Sequence, residues 1–316
     1  MRIFALCILV VAGAFPASAA AQAYPARPIR LLVPYAPGGN TDIVARTFGQ
    51  KLSERVGQPV IFDNRGGAAG SLGLGVAAKA AADGYNITIG DLGSMVITGH
   101  TNPNRDYQLR DFAPISLVTS VSVVVTVNPR SNLNSIAELI AAARANPGKL
   151  TFATSGIGSP NHLAIELMKS MTGIQFLHVP FKGGPQAITA ILGGEVDVLF
   201  DGSAFAQVRG GKLRAIGVTG PRLPALPDVP GIGETVRGFE FTNWWGMLAP
   251  AGTPAEVVRK LNEEFTAIAA LPEIRERLTN LGLAARNSTP QEFGDFIRNE
   301  TDKVARIVRE ANIKFD

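Results

Sequence analysis

Short apolar runs alternate with amphipathic segments along most of this chain of 316 residues. The first run, Ile29–Val33, has the pattern of a buried strand, and the segment Pro34–Gly39 after it can continue neither a strand nor a helix. A helix capped by Asn40 or Thr41 is predicted to follow. Such a turn directs free backbone N–H groups and the positive end of a helix dipole at one point, where a carboxylate can bind. The alternative is that the two glycines only make a tight connection.

The same order of strand, glycine loop and helix recurs later in the chain. Leu150–Thr154 is predicted to be a strand, Ser155–Ser159 a loop, and Pro160 the first residue of a helix for which Ser159 is the N-cap. A third copy begins with the strand Phe176–Phe181. Strands and helices that alternate with these lengths predict an α/β fold, in which mostly parallel sheets are flanked by helices on both faces.

Two further runs are predicted to pass between two lobes. Ser116–Val127 is long, rich in β-branched residues and free of turn signals, and Phe241–Leu248 contains both tryptophans. Capping boxes that begin at Thr253 and Thr289 predict helices after the second run. The expected order is lobe one in residues 24–124, lobe two in 125–240 and a return to lobe one in 241–316. Because ligands of open α/β sheets bind beyond the carboxyl ends of strands, both glycine loops would face one cleft that closes about a hinge.

The first residues, Met1–Ala23, have the features of a secretory signal: Arg2, an apolar stretch, and a small-x-small cleavage site that ends at Ala23. The apolar stretch is shorter than the roughly 20 residues that span a bilayer, and no later stretch is long enough. The single cysteine, Cys7, lies in this signal. The mature protein is therefore predicted to begin near Tyr24, to be soluble and exported, and to lack disulfides and thiolate metal sites.

The charge pattern argues against two classes of partner. The formal net charge is +4, and Lys and Arg are scattered without a run of five, so no basic nucleic-acid surface is predicted. No segment predicts stable membrane insertion. A mild positive charge is compatible with a small anionic ligand. We expect a monomer that binds such a ligand without a cofactor or a metal ion.

A hydrolase is the alternative from another class of function. Ser155 or Ser159 could act with His162 and an Asp, because Ser159 and His162 lie three residues apart on one helical face. The nucleophile pattern G-x-S-x-G is absent, however, and an N-cap serine has its oxygen engaged with backbone donors. His162 has no second His or Cys near it in sequence, which argues against a metal site. Binding without catalysis is therefore the prediction.

Six linked stretches carry a resemblance to a known family: IRLLVPYAPGGNTDIVAR, VIFDNRGGAAGSLG, DFAPISLV, ATSGIGSPNHLAIEL, HVPFKGGPQAITAILGGEVDVLFD and WWGMLAPAGTP. In this order along the whole mature chain, they resemble the solute receptors of tripartite tricarboxylate transporters, also called the Bug family. The resemblance implies a two-lobed, type II-like periplasmic-binding-protein fold with a ligand in the cleft between the lobes. It implies that the ligand is a small organic carboxylate and that membrane transporter subunits are transient partners. A receptor of this fold that signals to a sensor kinase would look the same in sequence.

The family's two ligand loops map onto residues of this chain. The first comprises Tyr35, Ala36, Pro37, Gly38, Gly39, Thr41 and Asp42, and the second comprises Ser155, Gly156, Ile157, Gly158, Ser159 and His162. By the same resemblance, Asp201 borders the cleft. These loops would hold the ligand largely through backbone N–H groups and ordered water.

Several residues are predicted individually. Asp42 either supports the first turn of its helix or orders the ligand loop, since an ionised carboxylate would repel a carboxylate ligand. His162 is predicted to be a neutral imidazole that ties the second loop to its lobe, and Lys182 to bind nearby carbonyl groups. Asp91 follows the third predicted strand, where the family commonly has a small residue, and it would disfavour an anion if it faces the cleft. Only one of the two adjacent tryptophans can face each side of a strand.

Overall fold

The computed structural model describes residues 24–102, 104–157, 159–181, 183–310 and 313. The predicted signal Met1–Ala23, and the predicted roles of Gly158 and Lys182, lie outside these described residues. Within them, no helix is both long enough and apolar enough to cross a membrane. The described residues form two sheets with helices packed around them. We refer to the first sheet with its helices as lobe one and to the second as lobe two.

Strands and helices alternate along most of the described chain, as the sequence predicts. The strands are β1 (Ile29–Val33), β2 (Val60–Asn64), β3 (Asn86–Asp91), β4 (Phe112–Ser122), β5 (Val124–Val127), β6 (Thr151–Thr154), β7 (Leu177–Pro180), β8 (Val198–Phe200), β9 (Arg214–Val218), β10 (Thr242–Pro250) and β11 (Ala284–Ala285). The helices are α1 (Asn40–Val56), α2 (Ser71–Ala78), α3 (Thr98–Thr101), α4 (Ile136–Ala145), α5 (Pro160–Thr172), α6 (Gly184–Gly193), α7 (Phe205–Arg209), α8 (Ala255–Ala270), α9 (Pro272–Asn280) and α10 (Pro290–Glu310). A short π-helical turn, Leu92–Ile97, lies between β3 and α3.

Each sheet is mixed, because a strand that arrives from the opposite lobe runs antiparallel in it, and in the first sheet β11 also pairs antiparallel with β4. The first sheet has the order β11-β4-β10-β3-β1-β2, and the second has the order β7-β6-β8-β5-β9. β1 pairs parallel with β2 and β3, whereas β10 runs antiparallel between β3 and β4. In the second sheet, β6 pairs parallel with β7 and β8, whereas β5 runs antiparallel between β8 and β9. The predicted parallel arrangement therefore holds within the strand–helix–strand units and is interrupted by the two inserted strands.

The chain passes between the sheets at two neighbouring points. β4 ends at Ser122 and β5 begins at Val124, so only Val123 separates the strand of the first sheet from that of the second. The chain comes back to the first sheet beside Val123. There Val123 donates its N–H to the Thr219 hydroxyl (2.8 Å), and Thr219 donates its N–H to the Val123 carbonyl (2.9 Å). Phe241 then donates its N–H to the Thr219 carbonyl (2.8 Å). All of β10, which covers most of the second predicted crossing run, lies in the first sheet.

Helix caps show which local sequence signals persist in the fold. The Ser159 hydroxyl accepts a hydrogen bond from the His162 N–H (3.2 Å) at the start of α5, as predicted. Thr289 and Glu292 form the predicted reciprocal capping box at α10, with distances of 2.8 and 3.2 Å. The capping box predicted at Thr253 is wrong, because that hydroxyl donates instead to a carbonyl of the preceding turn (2.8 Å) and α8 begins without a side-chain cap.

The C-terminal helix α10 joins the cores of the two lobes. Its buried residues Phe293 and Ile307 belong to the same apolar cluster as Leu167 and Met168 of α5. Phe293 packs on β10 at a position where only glycine leaves room, since a Cβ on Gly246 would lie 2.0 Å from the Phe293 ring. The packing of α10 therefore depends on this glycine of β10.

Gly246→Ala should lower the free energy of unfolding by about 1–3 kcal/mol, because the added methyl group overlaps the Phe293 ring and overpacks the core. Thermal or urea unfolding measures this loss. Combining the change with Phe293→Leu should recover part of the sum of the two single losses, because the residues are in contact. Gly294→Ala is the matched control, since a Cβ at Gly294 has no neighbour closer than 3.6 Å. Equal losses in Gly246→Ala and Gly294→Ala would contradict this packing.

Candidate functional site

A cleft of about 500 Å³ lies where loops of both lobes meet the carboxyl ends of β1 and β3. Lobe one contributes the β1–α1 loop, the N-terminus of α1, the end of β3, α3 and β10. Lobe two contributes the loop before α5 and the first residue of that helix. The lining residues are Tyr35, Asn40, Thr41, Ala69, Asp91, Gly93, Ile97, Thr98, Thr101, Ile157, Ser159, Pro160, Asn243 and Trp245.

Four residues of the two predicted ligand loops line this cleft: Tyr35, Thr41, Ile157 and Ser159. The other described candidates are not among its lining residues; they are Ala36, Pro37, Gly38, Gly39, Asp42, Ser155, Gly156, His162 and Asp201. Within this second group, Asp42, His162 and Asp201 are buried next to the loops. These three side chains therefore lie behind the residues that line the cleft.

Sequence reasoning missed several lining residues. Thr98 and Thr101 come from α3, and Asn243 comes from β10. Nothing in their local pattern marks them, because tertiary packing alone brings these elements to the cleft. Gly93, which follows β3, could have been found by the rule that ligands bind beyond the carboxyl ends of strands.

The Asp42 carboxylate organises the first ligand loop. It accepts hydrogen bonds from the Gly38 N–H (2.9 Å), the Arg46 guanidinium (2.8 Å) and the Asn64 side chain (2.9 Å). Asn64 also donates to the Tyr35 carbonyl (3.0 Å). Burial alone would raise the pKa of Asp42, but these donors outweigh it and hold the pKa below its usual value. Asp42 thus contacts both the loop, at Gly38, and its own helix, at Arg46, so both roles predicted for it stay predictions.

A second buried carboxylate, Asp91, forms part of the cleft wall. Its oxygens accept hydrogen bonds from the Tyr35 hydroxyl (3.0 Å), the Thr41 hydroxyl (3.1 Å), and the N–H (2.7 Å) and hydroxyl (2.9 Å) of Ser94. The Thr41 hydroxyl in turn accepts from the Trp245 indole N–H (2.9 Å). Burial raises the pKa of Asp91, and the hydrogen bonds offset part of this effect. Asp91 thus ties the first loop, β3 and β10 together at the cleft.

The two tryptophans of β10 point to opposite faces of the first sheet. Trp245 lines the cleft, whereas Trp244 packs edge-on against Phe293 and Phe296 in the core. Both indoles are buried. Adjacent residues of a strand face opposite sides, so only one tryptophan could reach the cleft.

In lobe two, the Asp201 carboxylate supports the second ligand loop much as Asp42 supports the first. It accepts hydrogen bonds from the Ser203 N–H (2.8 Å), the Ser203 hydroxyl (2.6 Å) and the Asn161 side chain (2.9 Å). Asn161 also donates to the Ser155 hydroxyl (3.0 Å), which connects Asp201 to the loop. Burial raises the pKa of Asp201, and these bonds offset part of the effect. Asp201 therefore lies behind the loop and not among the residues of the cleft wall.

Two stacked histidines lie beside the same loop. The ring centroids of His162 and His178 are 4.2 Å apart, and the rings are almost parallel. His178 shares a 2.6 Å hydrogen bond with the Thr154 hydroxyl, which also accepts from the Gly156 N–H (3.3 Å). Burial and neighbouring positive charge lower the pKa of both imidazoles to about 4, so both are neutral near pH 7. The neutral state agrees with the role predicted for His162, whereas its stacking partner His178 was not singled out from the sequence.

The two helices that begin at the cleft differ in their N-termini. α1 has Gly39 as its N-cap, and no side chain in the described structure caps its first N–H groups. At α5, the Ser159 hydroxyl caps one N–H group and the first residue, Pro160, has none to offer. Because the first two residues of α1 line the cleft, its uncapped donors lie at the wall. Lobe one is therefore the richer source of backbone donors.

The described part of the site offers hydrogen-bond donors, one carboxylate and apolar side chains. Its lining contains no Lys, Arg or His among the described residues. Across the same described ranges, no group of three or more His, Cys, Asp or Glu side chains is placed to hold a metal ion. This is a set of groups suited to holding a small molecule by hydrogen bonds and apolar contact.

Two mixed α/β sheets with a cleft between them define a periplasmic-binding-protein fold, and solved structures share it. The structure titled R. palustris Rpa4515 with adipate has a TM-score of 0.80 and 32% sequence identity, and the match covers 92% of this chain and 99% of that chain. MatC from Rhodopseudomonas palustris with bound malate has a TM-score of 0.74 and 29% identity, with 90% and 100% covered. The class of protein is thus a two-lobed binding protein.

The sequence comparisons narrow this class to one family. The family model described as the tripartite tricarboxylate transporter family receptor matches residues 44–313, and the chain belongs to this family. The UPF0065 protein in the tcbD-tcbE intergenic region of Pseudomonas sp. (strain P51) is 38% identical over 295 residues, covering 92% of this chain and 88% of that protein. Protein BugT of Bordetella pertussis is 34% identical over 319 residues, covering 97% and 98%. The resemblance to the Bug family is confirmed.

Acid should destabilise the protein between pH 6.5 and about pH 4 through the stacked histidines. The unfolded chain protonates them near 6.5, whereas the folded protein does so only near 4. In this window the unfolded state holds more protons, so the free energy of unfolding falls as the pH falls. His178→Gln should flatten this dependence in urea unfolding measured across the window. His100→Gln removes the remaining histidine and should leave most of it. Equal slopes in wild type and His178→Gln would contradict the assignment.

Proposed function

We propose that this protein is a periplasmic receptor that captures a small organic carboxylate in the cleft and delivers it to membrane subunits of a tripartite tricarboxylate-type transporter. The observation that carries the proposal is the uncapped N-terminus of α1, whose first residues line the cleft. Its unpaired N–H groups and the helix dipole favour a negative charge at this position. The ligand carboxylate would accept hydrogen bonds from these N–H groups, with bridging water completing the contacts.

Closure of the two lobes would strengthen this binding. Ile157 and Ser159 of lobe two line the cleft opposite the α1 N-terminus. Movement about Val123 and Thr219, where the chain passes between the sheets, would exclude water and strengthen hydrogen bonds to a charged ligand. We assign residues 24–124 and 241–316 to lobe one and residues 125–240 to lobe two. Sheet membership supports this division except at Val124, which begins β5 of the second sheet.

The similar structures support a carboxylate as the ligand class. Rpa4515 was solved with adipate and MatC with malate, and both molecules are organic carboxylates. The described lining of this cleft has hydroxyl and amide groups of the kind that could complete such a site, among them Ser159, Thr98 and Asn243. We extend the ligand class, and not the particular ligand, to this chain.

Export to the periplasm is part of the proposal. The sequence of Met1–Ala23 has the pattern of a cleaved signal, with cleavage near Ala23. A periplasmic transporter of known structure, 36% identical to this chain, and the periplasmic binding protein BugD, 32% identical, support the same location for this chain.

No observation favours the alternative functions. The Ser159 hydroxyl accepts the His162 N–H as a helix cap, and a histidine with a pKa of about 4 is a weak general base at neutral pH. Binding without catalysis is therefore the function that we propose. A receptor for a sensor kinase would use the same cleft, and no feature of the described residues favours that partner.

A thermal-shift screen of the mature protein, from Tyr24 onward, tests the proposal. At least one small carboxylate should raise the Tm, since a ligand at a hundredfold excess over its Kd adds about 2.7 kcal/mol to the stability. Binding should also change the fluorescence of Trp245 in the cleft wall. This change should persist in Trp244→Phe and disappear in Trp245→Phe. Shifts with sugars alone, or ester hydrolysis that is lost in Ser159→Ala, would contradict the proposal.

Gly39→Ser should weaken the binding of a carboxylate while leaving the stability of the protein almost unchanged. A serine N-cap would accept an N–H of the first turn of α1, changing stability by only a few tenths of a kcal/mol. Because that N–H is then withdrawn from the ligand, the affinity for a bound carboxylate should fall at least about tenfold, or about 1.4 kcal/mol. Gly39 has a φ of −78° and a Cβ there would meet only the Ala36 carbonyl oxygen, at 3.9 Å, so serine introduces no strain.

Pro254→Ser is the matched control for Gly39→Ser. It places a serine at the N-cap of α8, which also lacks a side-chain cap but is not part of the described cleft lining. Its affinity for the carboxylate should equal that of the wild type. Equal affinities in Gly39→Ser and the wild type would count against a ligand bound at the α1 N-terminus.

A further inference from the structure

A charged residue in the cleft wall indicates how many negative charges the ligand carries, an inference that rests on the proposed function. We infer that the cleft selects a ligand with one carboxylate, bearing an uncharged or cationic group elsewhere, over a dicarboxylate. The basis is the Asp91 carboxylate in the cleft wall, one hydrogen bond (3.1 Å) from Thr41 of the first turn of α1. The same turn is where the ligand carboxylate is proposed to bind, so the two negative charges would be near neighbours.

The hydrogen bonds around Asp91 are those expected of an ionised carboxylate. The Ser94 hydroxyl accepts the Asp91 N–H (3.2 Å), which leaves its own proton to be donated to Oδ1 of Asp91 (2.9 Å). Thr41 likewise accepts the Trp245 indole N–H and donates its proton to Oδ2. An ionised carboxylate can only accept hydrogen bonds, so these donors stabilise the charged form against the burial that raises its pKa.

No cation compensates this charge within the described part of the site. Its described lining contains no Lys, Arg or His. Among the described residues, the hydrogen-bond partners of the Asp91 carboxylate are Tyr35, Thr41 and Ser94, all of them uncharged. The N-terminus of α1 carries a partial positive charge of about half an elementary charge, which can stabilise one ligand carboxylate. A second carboxylate would enter a partly desolvated cleft that already holds Asp91, where repulsion between like charges is stronger than in water.

The rest of the lining accommodates a chain without a second negative charge. Ile97, Ile157 and Pro160 present apolar surface to the cleft. Of the described donors, only the Thr41 hydroxyl bonds to Oδ2 of Asp91. Since a carboxylate oxygen can accept two hydrogen bonds, Oδ2 retains capacity for a ligand ammonium or hydroxyl group.

Two series of ligands with matched chain length test the inference by calorimetry at about pH 8, well above the usual pKa of a carboxyl group. One series is hexanoate, 6-aminohexanoate and adipate, and the other is butyrate, 4-aminobutyrate and succinate. In each series that binds, the monocarboxylate or the amino acid should bind at least about tenfold more tightly than the dicarboxylate, or about 1.4 kcal/mol. Tightest binding by adipate or succinate would overturn the inference and leave the carboxylate receptor intact. No binding by any of the six would count against the proposed function, and the inference would fall with it.

Variants at Asp91 test whether this residue sets the preference. Asp91→Asn removes the charge and should reduce the preference to less than about threefold, mainly by tighter binding of the dicarboxylate. Asp91→Ser is a second variant, because serine retains an N-cap oxygen for the Ser94 N–H if the amide disturbs the fold. Asp197→Asn is the matched control: Asp197 also accepts a backbone N–H and a hydroxyl, both from Thr151, but it is not part of the described cleft lining. A full preference in both Asp91 variants would overturn its role.

Lys182→Gln tests whether a cation outside the described residues sets the charge preference. Lys182 carries a positive charge with which the second carboxylate of a dicarboxylate could pair. The inference expects the same order of affinities in this variant as in the wild type. A wild-type preference for a dicarboxylate that is lost in Lys182→Gln would overturn the inference and assign charge selection to Lys182.

Discussion

Both walls of the cleft depend on buried carboxylates that must be satisfied by hydrogen-bond donors. A charge removed from water is costly unless several donors face it. Asp42 accepts hydrogen bonds from the Gly38 N–H, Arg46 and Asn64. Asp201 accepts them from Ser203 and Asn161, and Asn161 also donates a hydrogen bond to Ser155 of the second loop. The bonds that satisfy these charges also fix the loops. The donors and hydroxyl groups at the cleft are therefore in place before a ligand arrives, which lowers the entropic cost of binding.

The two ligand loops look alike in sequence but offer different groups to the cleft. In lobe one, glycine as the N-cap leaves the first N–H groups of α1 open. In lobe two, Ser159 and Pro160 close the N-terminus of α5, and the loop instead presents a hydroxyl group and the exposed side chain of Ile157. In the proposed receptor, the ligand carboxylate would bind first to lobe one. Lobe two would then cover the ligand with apolar surface and exclude water.

Packing far from the cleft controls what faces it. On β10, Gly246 leaves room for the Phe293 ring of α10. Its neighbour Trp245 points into the cleft and bonds to Thr41, which bonds to Asp91. A single strand therefore connects the core that both lobes share with polar groups that line the cleft.

The sequence by itself determined the α/β fold, the glycine loops after β1 and β6, and the caps at Ser159 and Thr289. These features follow from periodicity and from hydrogen bonds between residues close in the chain, so local sequence is enough. Only the tertiary structure decided that Asp91 and Trp245 share the cleft wall, and that His178 stacks beneath the second loop. Thr41, which links these two residues, lies 50 positions from Asp91 and 204 positions from Trp245 in sequence. Which side chains meet is set by how the sheets and helices pack, and no local pattern encodes that packing.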